Sequence, residues 1–162
     1  MTGERPYRPP ASTLSHEPQR ERPLRSALIA IGSGLGIDFF GTQVASGVLM
    51  FTLGPALVSG DPTSDQFAYD LVRHPLWYWP MLAVGLFFVV FAGYMAGRLA
   101  THRPVFFAGL AGLSSLVPVL AILASTGFFE SAAPRWFDQA LVVFHVPIAC
   151  LGGWLAGGRA AS

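Results

Sequence analysis

Two residues in this chain pair an acid with a base, and both lie deep in apolar sequence. Asp38 sits in the run from Ala27 to Val58, and His145 sits in the run from Phe137 to Gly158. A carboxyl and an imidazole within reach of each other hold one shared proton, and either can release it. Intramembrane ionisable groups are costly unless paired, so each needs a partner or a purpose. Counted at about 1.5 Å per helical residue, Asp38 stands roughly 18 Å from Ser26. His145, counted back from the far end of its run, falls at roughly the same depth in an apolar layer of about 30 Å. Ser114, on a third run, comes to roughly 15 Å. Thr42 and Ser46 follow Asp38 at helical spacing on the same side. The candidate intramembrane polar site is therefore Asp38, Thr42, Ser46, Ser114 and His145. It is expected to act either as a proton or solute site or as a buried hydrogen bond that fixes the helices.

Other chemistry finds less support. Asp38, Ser114 and His145 have the residue types of a hydrolytic triad, but no nucleophile motif or oxyanion element accompanies them. No catalytic residue is assigned, and the chain is expected not to be an enzyme. His74 and His102 fall at opposite edges of the apolar layer and His16 in the N-terminal tail. A bis-histidine haem within one subunit is therefore not expected, and no cofactor or metal is. The single cysteine, Cys150, sits among apolar residues and reads as a small buried hydrophobe. Gly32, Gly34 and Gly36 open an apolar helix, so they form a packing surface and not a phosphate loop.

The elements that position these residues follow from composition. The 162-residue chain is 52% hydrophobic and 12% charged, about half the charge of a soluble domain. Its long apolar runs place it among integral membrane proteins. The expected fold is all-α: four transmembrane helices, at about residues 27–53, 77–97, 105–125 and 137–158, in an antiparallel bundle. A β-barrel is excluded because the runs do not alternate. Residues 1–23 are rich in Pro and charge and are expected to be a disordered cytoplasmic tail. Residues 24–159 form the membrane domain.

Arginine sets the orientation. The N-terminal tail carries Arg5, Arg8, Arg20, Arg22 and Arg25. The second connection carries Arg98 and Arg103, and the C-terminal end Arg159. Only Arg73 and Arg135 fall on the other side, so both termini are expected in the cytoplasm. Trp77, Tyr78, Trp79, Phe128, Phe129 and Trp136 form an expected aromatic belt at the outer boundary. The outer loop is expected to hold a short helix, Ser64–Arg73, capped by Ser64, with Phe67, Leu71 and Val72 on the membrane surface.

Small residues mark the interior faces. Gly34, Asp38, Gly41, Thr42, Ala45 and Ser46 share one side of the first span; Gly85, Val89, Ala92 and Ala96 share one side of the second. Ala111, Ser114, Pro118, Ala121 and Ser125 form a stripe on the third, and Asp138, His145, Ala149, Gly152 and Ala156 form one on the fourth. Gly93 and Gly97 recur as Gly153 and Gly157, a weak two-by-two parallel repeat at an offset of 60 residues. These four glycines are the expected sites of close helix packing.

The plan resembles that of small four-span bacterial inner-membrane proteins, which implies the inner membrane as location. Small multidrug exporters also have four spans and an acidic residue in the first. This chain is much longer, its acid is Asp38, and no further motif matches. Lipid is the expected environment, with a homo-oligomer or a larger membrane complex as partner and no nucleic acid, given a net charge of +1. The expected function is that of a non-catalytic structural or accessory subunit. The alternative is a transporter or channel protomer that uses Asp38 and His145.

Overall fold

The computed structural model describes residues 23–100, 102–126 and 134–158. The N-terminal tail, Phe128, Phe129 and Arg159 lie outside them. Helix α1 spans Pro23–Thr52, α2 Gly54–Leu57, α3 Asp65–Arg73, α4 Tyr78–Leu99, α5 Pro104–Thr126 and α6 Arg135–Gly158. A 3₁₀ turn, Pro75–Trp77, leads into α4, and no strand occurs among the described residues. Four segments are long and apolar enough to cross a membrane: Arg25–Thr52, Pro75–Leu99, Pro104–Ala121 and Arg135–Gly158. In hydrocarbon a helix satisfies its own backbone, which is why these runs take that form despite their many glycines.

The breaks between helices are chemically marked. After α1 the chain turns through Gly54-Pro55. The Asp61 carboxylate accepts from the Thr63 backbone N–H at 2.9 Å and from its hydroxyl at 2.7 Å. Both bonds hold that exposed carboxyl below its ordinary range. Ser64 caps α3 by accepting from the Phe67 N–H at 3.2 Å. Asp65 in the first turn and Arg73 in the last suit the helix dipole. Between α4 and α5, Arg103 adopts a left-handed φ of 53°, and its carbonyl receives the first amides of α5.

Helix α3 turns Phe67 and Leu71 into protein and leaves Val72 exposed. Phe67 and Leu71 are 2% and 1% exposed and pack with Trp77 against Leu49, Met50, Leu57, Val58 and Met81. The Tyr78 hydroxyl donates to the Val72 carbonyl and ties α3 to α4. Of the expected belt, Trp77 and Tyr78 are buried in protein, whereas Trp79 and Trp136 are exposed. An amphipathic helix offers the same apolar side to lipid or to protein, and here α3 covers the end of α1 and the start of α4.

The four long helices pack with α4 at the centre, against α1, α5 and α6; α5 also packs on α1 and α6. The most extensive contact is α4 with α6. These two run parallel. Tyr78 meets Phe137 ring to ring at 5.2 Å near their starts, and the position of Gly97 abuts Gly153 and Ala156 near their ends. Spans adjacent in sequence pack on one another as well, and glycine lets the parallel α4–α6 pair approach closely. A Cβ at Gly93 would stand 2.1 Å from the Ala149 carbonyl oxygen, and one at Gly152 would stand 2.1 Å from that of Val90. Gly153 and Gly157 instead face α5, against Ala108 and Pro104.

Candidate functional site

Each long helix turns a narrow, small-residue strip inward. On α1, Gly34 and Asp38 are buried while Phe40, Val44 and Phe51 are exposed. Gly34 sits against Ala92, Ala96 and Ala111, and Gly41 sits under the Phe88 ring. These contacts fix the rotation of α1 and aim Asp38 between α4 and α5. On α6, His145, Ala149, Gly152 and Ala156 are buried, whereas Val143, Leu151 and Trp154 are exposed. Gly152 on Val90 and Ala149 under Gly112 hold that rotation, so His145 points to the same interior.

There the two side chains meet. His145 Nε2 lies 3.0 Å from Asp38 Oδ2, and both side chains are at least nine-tenths buried. The approach has the distance of a charge pair but is angled off the line of a hydrogen bond, and no hydrogen bond closes on Nε2. Bonding capacity is therefore left on the pair. Helices α1 and α6 share little direct backbone packing compared with the other pairs. The contact reaches across the interior between helices held apart by α4 and α5.

Beside the pair lies a cavity of about 160 Å³. Asp38 and Thr42 of α1, Ser115 of α5 and His145 of α6 give it a polar floor. Leu35, Phe39, Leu86, Val89, Val119 and Leu141 give it apolar walls. The Thr42 hydroxyl is buried with no hydrogen-bond partner. A buried hydroxyl normally finds one, so this group is set to bond something in the cavity.

Three residues of the predicted site therefore come together: Asp38, Thr42 and His145. Ser114 does not join them. Its hydroxyl donates to the Ala111 carbonyl of its own helix at 2.8 Å. Its neighbour Ser115, 4% exposed, lines the cavity instead. One residue is a 100° turn of the helix, which separates the two serines. The buried stripe of α5 is Ala108, Ala111, Gly112 and Ser115, while Pro118 is half-buried and Ala121 exposed. Ser46 is half-buried and does not line the cavity. Gln43, which the sequence reading passed over, stands at the cavity's edge and is exposed. Among the described residues no group of three metal-ligating side chains forms.

The chemistry open to this arrangement is proton exchange and hydrogen bonding. A protonated Asp38 with a neutral His145, and a carboxylate with an imidazolium, carry the same net charge. Either form therefore leaves no uncompensated charge in an apolar interior. Ser114, the serine of that residue set, is bonded to its own helix. No family model, curated protein or solved structure matches the chain. The functional reading therefore stands on the site's own chemistry.

Proposed function

We propose that the protein is a multi-pass membrane protein that binds a proton and a small polar group at Asp38, His145 and Thr42, as a transporter or channel protomer without catalysis. The supporting observation is that the buried acid–base pair opens onto a cavity and leaves hydrogen-bonding capacity unused. A pair serving only as structural glue has no need of a cavity beside it or of an unbonded hydroxyl at its edge. This favours the transport reading over the structural-subunit one. On this reading the four spans form one bundle around the pair. The arginine bias supports an orientation with both termini in the cytoplasm, and the membrane on this reading is a bacterial inner membrane. Exposed Phe40, Phe87 and Phe91 face lipid or a further copy of the chain.

The test is proton flux. In proteoliposomes with an internal pH-sensitive dye and a valinomycin-clamped potential, the wild type is expected to dissipate an imposed pH gradient well above protein-free vesicles. Asp38→Asn keeps the size but loses the exchangeable acid, and is expected to return to background. Equal rates for wild type, variant and empty vesicles remove the transport reading.

A further inference from the structure

The cavity beside Asp38 is not closed on every side. Toward α4, α1 is sealed by Gly34 on Ala92 and Ala96 and by Gly41 on the Phe88 ring. Toward α5 it is sealed at Gly34, where an added Cβ would lie 2.8 Å from the Ala111 Cβ. Beyond Gly34 in the chain, the α1 edge of the cavity is formed by Phe39, 42% exposed, and by Gln43, also exposed. The facing α5 residues are Pro118 and Val119. Pro118 has no N–H for the Ser114 carbonyl, so the helix ladder is interrupted at this level. Phe39 and Gln43 lie within a span, where exposure means contact with lipid. The gap between α1 and α5 therefore leads into the bilayer.

Size and lining narrow what fits. A protein cavity of about 150 Å³ with apolar walls takes one benzene ring, and this one is about 160 Å³. Here the walls are likewise apolar, but the floor carries Asp38, His145 and the unbonded Thr42 hydroxyl. We propose that this site takes a membrane-dissolved amphiphile with a single-ring head bearing a hydroxyl group, which enters sideways between α1 and α5. The ring fills the cavity, and its hydroxyl donates to the Asp38–His145 pair and accepts from the Thr42 hydroxyl. The apolar tail leaves past Phe39 and Val119 into lipid, and Gln43 flanks the mouth. The proposal rests on the binding reading above and supplies its ligand class and route.

The test uses the full chain in phosphatidylcholine nanodiscs, with radiolabelled 4-octylphenol as probe and empty nanodiscs to subtract partitioning. Saturable uptake of one molecule per chain is expected. Unlabelled octylbenzene, which has the ring and tail but no hydroxyl, should compete more weakly by about threefold to tenfold, since one lost bonding group at a buried site is worth up to about a factor of ten. Thr42→Val, which keeps the shape, should weaken binding about threefold or more. Val119→Trp fills the mouth and should abolish the saturable component, while Leu151→Trp, on the exposed side of α6, should leave it intact. Uptake no greater than in empty nanodiscs, equal competition by octylbenzene, or unchanged binding in Val119→Trp overturns the proposal. Flux that depends on Asp38 without saturable uptake removes the ligand class and keeps the proton site. Saturable uptake without flux keeps the ligand and removes transport.

Discussion

Gly152→Val is expected to separate α6 from α4 and to lower stability in detergent or bilayer by about 3 kcal/mol or more. Overpacking a well-fitted interior typically costs about 1–3 kcal/mol when side chains can give way. Here they cannot. The atoms around an added Cβ are backbone: the Val90 carbonyl oxygen at 2.1 Å, the Tyr94 nitrogen at 2.6 Å and the Gly93 carbonyl carbon at 3.0 Å. Relief requires moving one helix away from the other, and in lipid such close packing is the main force that associates helices. Gly36→Val is the matched control, because nothing lies within 4 Å of a Cβ there. Unfolding in a graded series of denaturing detergent should give a large loss for Gly152→Val and a change below about 1 kcal/mol for Gly36→Val, the ordinary size of an exposed helix substitution. Since α6 carries His145, the same variant should also abolish any function of the pair.

Removing both partners of the pair should cost less than the two single removals summed. Asp38→Leu leaves the His145 ring buried with its nearest partner gone, and His145→Leu leaves a carboxyl buried alone. In water-soluble proteins breaking a buried pair costs about 3–5 kcal/mol. Between membrane helices, polar couplings average about 0.6 and reach about 1.7 kcal/mol, because the separated helices also find partners in lipid. The second figure governs here, since each residue stays within its own span when the helices part. Each single variant is expected to lose about 1–2 kcal/mol, and the double variant less than their sum, with a coupling near 1 kcal/mol. Strict additivity would mean that the two side chains do not interact in the bilayer.

How much of this could be read from sequence differs by helix. The inner faces of α1, α4 and α6 follow from the contrast between small and bulky residues. Phe40 and Val44 lie opposite Gly34 and Asp38, and Val143 and Trp154 lie opposite His145 and Gly152. Helix α5 has no such contrast. Its small residues cover two overlapping stripes, one through Ser114 and Pro118 and one through Ala108, Gly112 and Ser115. Packing against α1, α4 and α6 together selects the second. The signal that would have found it is the combination of Gly109 and Gly112 with Ala108, the narrowest arc of the helix. The periodicity of α3 likewise gives a helix with one apolar side, but not whether lipid or protein covers it. The cavity itself was not legible. It arises where α1 and α5 part beyond Gly34 and Ala111, a property of three-dimensional packing that residue spacing does not encode.

The account stands on the meeting of Asp38 and His145 at mid-span, and side-chain ¹⁵N NMR of histidine reports on it most directly. In the full chain labelled with ¹⁵N-histidine and placed in nanodiscs, Asp38→Asn is expected to move the ring-nitrogen signals of His145 strongly. Those of His74 and His102, on the connections outside the pair, should stay where they are. If the His145 signals are unchanged while the variant remains folded, the two side chains do not share a site and the reading is contradicted.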